Sequence, residues 1–194
     1  HFAAADCTGH GVPGALVSVV CHNALNRSVR EYGISAPGKI LDKTRELVIH
    51  EFEKSDDVVK DGMDISLCAL SRSTKQLSWS GANNPLWIIR KNPTEQKADS
   101  SVENSDQPLR AHGHELLEVK PDKQPIGKYA EAKPFTSHTV DLKPGDTLYI
   151  FTDGYADQFG GERGKKFKAS ALKELLLSIQ ALPMNQQRQS ILEA

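Results

Sequence analysis

The hydrophobic positions of this chain follow a helical period in its first third and a strand period after it. Beyond Pro13, a residue suited to the first helical turn, apolar residues recur at a spacing of four in two adjacent stripes. The stripes comprise Leu16, Val20 and Ala24, and Val17, Cys21 and Leu25. They predict a helix with a wide buried face that Gly33 ends. A second helix, capped by Ser35, then places Leu41, Val48 and Phe52 on one face.

From Asp64 onward apolar and polar residues alternate, which predicts strands. Two alternating runs around a polar turn indicate a hairpin, and residues 86–89 are expected to add a third strand to the same meander. Further strands are predicted at 115–120, 135–142 and 147–152, and two helices near the end of the chain, from Leu172 and from Asn185. The pattern predicts an α+β fold with a largely antiparallel sheet.

Composition narrows the class of protein. The 194 residues, 38% hydrophobic and 25% charged, predict one globular domain spanning 1–194, with a polar, flexible insertion at about 91–113. A net charge of −1 argues against a nucleic-acid-binding protein, which would carry an excess of basic residues. Three cysteines without a Cys-x-x-Cys spacing favour a reducing, cytoplasmic location, and no apolar run is long enough to span a bilayer. A membrane tether of the full-length protein would lie outside these residues.

Two acids stand where predicted strands end. Asp6 follows an apolar lead-in and precedes the closely spaced Gly9 and Gly11, and Asp153 follows a β-prone run and precedes Gly154. Glycines beside a rigidly held carboxylate let backbone groups approach whatever the carboxylate binds, and hard cations prefer such oxygen ligands. The repetition predicts one metal site assembled from the two ends of the chain.

Five ordered motifs carry a family resemblance. They are Asp6-x-x-Gly9-His10-Gly11-Val12-Pro13, Gly62-Met63-Asp64, Gly81-Ala82-Asn83-Asn84-Pro85-Leu86, Lys123-Gln124-Pro125-Ile126-Gly127 and Thr152-Asp153-Gly154. In this order they resemble the stage II sporulation E type of bacterial serine/threonine phosphatase, within the metal-dependent 2C-type (PPM) family. The resemblance implies a four-layer αββα sandwich of two antiparallel sheets flanked by helices. It also implies two Mn²⁺ or Mg²⁺ ions, with Asp6 bridging them, the Cys7 carbonyl as a ligand and Asp153 binding one ion.

The chain departs from the family pattern at both ends. The family carries an acidic Gly-Asp element before the strand that starts here at His1, and a metal-binding Asp-Asp-x-Thr strand beyond the position of Ala194. We therefore expect a sandwich that is incomplete at both ends, and weak or no activity from these residues alone. A natural protein that continues into the Asp-Asp-x-Thr strand would favour an enzyme, and one that stops at Ala194 a binding module.

Other polar residues have competing interpretations. Asp61 and Asp64 are within reach of a metal site, but solvated acids at the start of a strand are the more common case. His10 could act as a general acid, although a turn histidine bonded to backbone is favoured. Lys123 could face a phosphate or be a solvated loop lysine.

The resemblance implies hydrolysis of phosphoserine or phosphothreonine on a partner protein by a hydroxide held between the two ions. It further implies bacterial signalling, an anti-sigma-factor antagonist (STAS) protein as substrate, and an upstream sensor domain in the full-length protein. The alternative is a catalytically impaired sandwich that binds a phosphoprotein as a regulatory module.

Overall fold

The computed structural model describes residues 1–53, 61–92, 108–160 and 164–194. Its elements, in chain order, are β1 (Phe2–Cys7), α1 (Gly11–Arg30), α2 (Pro37–Phe52), β2 (Met63–Ser71), β3 (Gln76–Ala82), β4 (Leu86–Lys91), β5 (Leu109–Ala111), β6 (His114–Val119), β7 (His138–Asp141), β8 (Thr147–Ile150), β9 (Phe159–Gly160), β10 (Lys165–Lys166), α3 (Lys168–Ser178) and α4 (Met184–Glu193). The predicted α+β class is confirmed, with two four-stranded antiparallel sheets, a two-stranded ribbon and four helices in the described part of the chain.

The described residues form two compact units. The first comprises His1–Leu86, Val119–Leu142 and Ile150–Thr152, and the second comprises Trp87–Glu118, Lys143–Tyr149 and Asp153–Ala194.

The first unit contains a four-stranded sheet in the order β1-β2-β3-β7, with α1 and α2 packed together and against it. The predicted hairpin is confirmed as β2 and β3, and β1 lies at the edge of the sheet, antiparallel to β2. The core between helices and sheet contains the fully buried Cys21, Ile40, Leu41, Val48 and Ile65. Burial of these side chains stabilises the helix–sheet packing, and β1 joins it through its pairing with β2 and the half-buried Cys7.

Helix α1 buries a narrower face than its sequence predicts. Gly14, Val17, Cys21, Ala24 and Ser28 are buried, whereas the side chain of Leu16 is 63% exposed. The stripe that begins at Leu16 becomes more buried along the helix, since Val20 is half-buried and Ala24 is buried. The predicted wide face is therefore wrong only at Leu16, near the start of the helix.

The start of α2 also differs from the prediction. Ala36, not Ser35, is the N-cap residue, no side chain caps this end, and Pro37 occupies the first turn. Proline has no N–H to satisfy at that position and its fixed φ suits the helix, so the helix begins without a side-chain cap.

The second unit contains a sheet in the order β5-β6-β4-β8, a short β9–β10 ribbon, and α3 and α4. Strand β4 belongs to this sheet, so the prediction that it extends the β2–β3 meander was wrong. The preceding turn contains Asn83 in the left-handed region, with φ of 57°, and it redirects the chain away from the first sheet. Trp87 and Ile88 of β4, with Leu116, Leu176 and Leu177, are buried in this unit.

Most of the predicted flexible insertion, residues 93–107, lies outside the described residues, and β5 with β6 follows it as a tight hairpin. None of the helices described here combines the length and the apolar character that a bilayer crossing requires.

Candidate active site

Strand β1 ends with the two residues that the sequence singles out first. Asp6 is exposed and Cys7 is half-buried, and their Cα partners on β2 are Asp64 and Met63. Six consecutive residue pairs join β1 to β2, so the backbone beneath Asp6 is fixed by a regular antiparallel ladder.

Thr8 ties the turn after Asp6 to the start of β2. Its backbone N–H donates to the Gly62 carbonyl at 3.0 Å, and its hydroxyl accepts from the Gly62 N–H at 2.9 Å. The same hydroxyl donates to Asp61 Oδ1 at 3.0 Å. Sequence reasoning missed this role of Thr8; the available signal was a threonine beside a glycine turn, where side-chain to backbone bonds are common.

Glycines allow the turn to fold tightly onto helix α1. Gly9 and Gly11 have φ of 89° and 64°, in the left-handed region that glycine adopts without strain. At Gly14 an added Cβ would lie 2.7 Å from the carbonyl carbon and oxygen of Gly9. His10, between these two glycines, is the N-cap residue of α1 in an extended conformation, and its side chain makes no capping hydrogen bond.

A cavity of about 500 Å³ opens beside this turn. Its lining includes Asp6, Cys7, Gly9, Gly14, Ser18 and His22. All the lining residues belong to the first unit, and neither lysine nor arginine is among them. Asp6 is the one carboxylate among the described lining residues, beside the histidines His10 and His22, and these side chains with nearby backbone carbonyls suit a cation better than a free anion.

The Cys7 thiol faces the buried Cys21. A hydrogen bond from Cys21 lowers the pKa of Cys7 to about 7, with a smaller contribution from Ser18, while burial and the nearby Asp6 charge act in the opposite direction. The same contact and burial raise the pKa of Cys21, which therefore remains a thiol at neutral pH. A neutral Cys21 can keep donating to the sulfur of Cys7.

Asp64 and Asn83 continue the polar row across the sheet. Asn83 Nδ2 donates to Asp64 Oδ1 at 2.8 Å, from the turn that follows β3. Asp61 and Asp64 each therefore have a side-chain donor, Thr8 and Asn83 respectively, which the expectation of solvated acids did not include. The signal available in the sequence was an asparagine in a predicted turn, because asparagine tolerates the left-handed conformation that Asn83 adopts better than most residues do.

The backbone of segment 122–127 forms hydrogen bonds with Met63, next to Asp64, and with Gly81 and Asn83 at the end of β3. Met63 and Ile126 exchange two backbone hydrogen bonds, at 3.0 and 2.8 Å. Asp122 donates to the Gly81 carbonyl at 3.0 Å, and its own carbonyl accepts from Asn83 at 3.0 Å. Lys123 points to solvent from this segment and is exposed.

Asp153 belongs to the second unit. Strand β8 ends at Ile150, so Asp153 opens a turn three residues later instead of standing at the strand end, and its carbonyl accepts from the Asp157 N–H at 2.8 Å. Its side chain is exposed. A metal site shared by Asp6 and Asp153 stays a prediction.

The donor set suits a hard divalent cation in its chemistry. Asp6 offers carboxylate oxygens and Cys7 a main-chain carbonyl on a cavity that glycines keep open. Within the described ranges, no group of three or more histidine, cysteine, aspartate or glutamate side chains is placed to hold a metal ion. Asp6 and the Cys7 carbonyl alone do not complete the coordination sphere of such an ion.

Comparison with known families decides the classification. The sequence profile of the stage II sporulation protein E (SpoIIE) family matches residues 1–194. The chain belongs to the SpoIIE family. No curated protein sequence matches it.

Solved structures of PP2C-type phosphatase domains share the fold of this SpoIIE-family chain. The SiaA PP2C domain of Pseudomonas aeruginosa matches with a TM-score of 0.76 and 26% identity, covering 98% of this chain and 65% of that one. The PP2C phosphatase domain with a fragment of the regulatory domain of SpoIIE from Bacillus subtilis gives 0.61 and 16%, covering 98% and 47%. The catalytic domain of the serine/threonine phosphatase PstP, in complex with two manganese ions, gives 0.52 and 15%, covering 92% and 80%. This chain spans less than two thirds of the length of the first two.

Proposed function

We propose that this SpoIIE-family chain is the catalytic part of a protein serine/threonine phosphatase that uses two Mn²⁺ or Mg²⁺ ions. The observation that carries the proposal is Asp6, held at the end of a strand on the rim of a glycine-bordered cavity, in a chain that matches the family along its whole length. The two manganese ions of the PstP structure support the choice of cofactor. Residues 1–194 are proposed to be one partial phosphatase domain.

In this proposal Asp6, the Cys7 carbonyl and Asp153 hold the ions. The ladder between β1 and β2 fixes the backbone of Asp6, and the three Thr8 bonds fix the turn that carries the Cys7 carbonyl. When bound, two divalent ions acidify water and neutralise the charge of a phosphoryl group. The side chains of this site therefore need to supply geometry and negative charge, not a nucleophile.

A phosphorylated protein, with an anti-sigma-factor antagonist of the STAS type as the specific candidate, is the proposed substrate. The proposed role is bacterial signalling, with control by an upstream sensor domain and a cytoplasmic location. A regulatory domain accompanies the phosphatase domain in the Bacillus subtilis SpoIIE structure, which supports such an arrangement. The three cysteines are free thiols, as expected in a reducing compartment.

The test is hydrolysis of p-nitrophenyl phosphate and of a phosphoserine peptide by the full-length protein, with Mn²⁺, with Mg²⁺ and with EDTA. We expect metal-dependent turnover that Asp6→Asn and Asp153→Asn each lower by at least about 100-fold, since each removes a ligand charge and outer-shell losses alone cost 10–100-fold. Circular dichroism should show unchanged folding. Glu46→Gln, which removes the charge of a side chain that is 67% exposed on α2, is the matched control and should keep full activity.

The outcomes separate the alternatives. Turnover that persists in EDTA, or in Asp6→Asn, would overturn the proposed site. A metal-loaded protein that binds the phosphopeptide without hydrolysing it would favour the regulatory binding module. Residues 1–194 alone are expected to be at least about 10-fold less active than the full-length protein, because two carboxylates are few for two ions.

A further inference from the structure

A polar row next to the proposed site crosses strands β1 and β2 and the turn that follows β3. The register pairs Asp6 of β1 with Asp64 of β2, and Ile65 of β2 with Ala82 of β3, so Asp64 and Asn83 stand at neighbouring positions. The 2.8 Å bond from Asn83 Nδ2 to Asp64 Oδ1 confirms that these two side chains meet. Side chains of directly opposed residues lie on the same face of a sheet, about 4.5–5.5 Å apart at Cβ.

This register places two carboxylates side by side. Like charges directly opposite one another destabilise an antiparallel pair. The Asn83 amide donates to one oxygen of Asp64, and this bond both offsets part of the Asp64 charge and fixes the direction of its carboxyl group. Asp6, beside it, is exposed and lines the cavity. A divalent cation at the cavity would offset the repulsion between the two acids.

We infer that Asp64, oriented by Asn83, is a positioning residue of the proposed cation site: it sets a second negative charge beside Asp6 and so raises the affinity of the site for a divalent ion. The inference rests on the proposed function. Two sequence motifs then act together: Gly62-Met63-Asp64 supplies the charge, and the Asn83-Asn84 turn supplies the amide that orients it. Repulsion between Asp6 and Asp64 lowers the stability of the metal-free sheet, and a bound cation removes this repulsion.

The experiment measures Mn²⁺ affinity and thermal unfolding of the full-length protein after removal of metal with EDTA and dialysis. Asp64→Asn removes the charge and keeps an oxygen that accepts from Asn83. We expect its Mn²⁺ affinity, measured by titration calorimetry, to fall about 10–100-fold. Its metal-free Tm should rise by about 1–3 °C, because the repulsion with Asp6 is gone.

Two further variants define the controls. Asn83→Gly keeps the left-handed backbone and removes the donor, so it should weaken Mn²⁺ binding less than Asp64→Asn does and should not raise the metal-free Tm. Glu46→Gln removes one exposed charge elsewhere together with its surface ion pair to Lys43, and it should leave the Mn²⁺ affinity unchanged.

The opposite signs of the two effects distinguish a cation role from a structural one, since loss of a merely structural acid would lower stability with and without metal. Wild-type Mn²⁺ affinity in Asp64→Asn, with affinity lost in Asp6→Asn, would overturn the inference alone. Wild-type affinity in both variants would overturn the proposed function as well.

Discussion

Breaking the ion pair between Arg90 and Asp146 on one side should destabilise the second unit strongly. Arg90 Nε and Nη2 donate to the two oxygens of Asp146 at 2.8 and 2.6 Å, and the backbone N–H of Lys143 adds a third bond at 2.9 Å. The Asp146 side chain is 2% exposed and that of Arg90 is 16% exposed. The pair joins β4 to the turn that begins β8, the strand that leads to Asp153.

Asp146→Asn keeps the shape of the side chain and leaves the guanidinium without its carboxylate. Breaking a buried pair on one side costs about 3–5 kcal/mol. The partial exposure of Arg90, and the nearby charge of Glu115, place the expected loss near the lower end, at about 3 kcal/mol. For a domain of this size that corresponds to a fall in Tm of about 6–12 °C.

The effect should depend on pH with a defined sign. Burial opposes ionisation of Asp146, but the Arg90 and Lys143 hydrogen bonds prevail and lower its pKa. A lowered pKa in the folded state stabilises the protein above the ordinary aspartate pKa of about 3.9, and this stabilisation is lost as the pH falls through the folded value. The difference between wild type and Asp146→Asn should therefore be full above about pH 5 and shrink below about pH 4.

Urea unfolding followed by circular dichroism, at pH 7 and at pH 3, measures both effects. The matched control is Asp157→Asn, which breaks the 2.6 Å pair with Lys166, whose side chains are 47% and 42% exposed; such surface pairs contribute about 0–1 kcal/mol. Equal losses for Asp146→Asn and Asp157→Asn at pH 7 would refute the argument that burial makes the first pair strong. A difference between wild type and Asp146→Asn that is as large at pH 3 as at pH 7 would refute its electrostatic origin.

Two further pairs of substitutions, each with its own control, test the glycine turn beside the cavity and a buried hydrogen bond of the first sheet. Gly14→Ala should lower the stability by about 1–3 kcal/mol and weaken Mn²⁺ binding, because its Cβ would lie 2.7 Å from the Gly9 backbone. Gly160→Ala, whose Cβ would have nothing within 4 Å, is the control and should change neither quantity. A Gly14→Ala variant with unchanged stability in calorimetry and unchanged metal affinity would contradict the tight turn. Ser66→Ala should cost about 1–3 kcal/mol in urea unfolding, because it orphans the buried Trp79 Nε1 that donates to Ser66 Oγ at 2.8 Å. Ser80→Ala should be neutral, since the buried Ser80 Oγ has no hydrogen-bond partner among the described residues, and equal effects of the two serine variants would argue against the Trp79 bond.

The elements that could be predicted from the sequence are those with a strong local pattern. Strand β1, helices α1 and α2 and the β2–β3 hairpin each carry a clear period, and their positions are confirmed within a few residues. The exposure of Leu16 could not be deduced, because Leu16 has the same helical spacing as the buried Ala24 and only the neighbouring elements distinguish the two. The assignment of β4 to another sheet depends on the backbone conformation of Asn83, which alternation does not report.

The candidate site was predictable to a similar extent. Asp6 and its glycine turn are local features, and the structure gives them a cavity. The contacts of Thr8 with Asp61, and of Asn83 with Asp64, join residues far apart in the chain, so they depend on the register of β1 and β2 and on the turn after β3. A sequence alone ranks such acids by how often similar acids are solvated, and that ranking cannot include a donor supplied by the fold.

The backbone bonds of segment 122–127 have a consequence for how this chain can vary. The segment holds Met63 and Gly81 through main-chain atoms, and an added Cβ at Gly62 would lie 2.2 Å from the Ile126 carbonyl oxygen. The exposed side chain of Lys123 takes no part in these backbone bonds. The stretches around Met63, Gly81 and Ile126 are far apart in the sequence but are coupled by their backbones. A change of chain length or a bulkier residue at Gly62 therefore requires a matching change near Ile126.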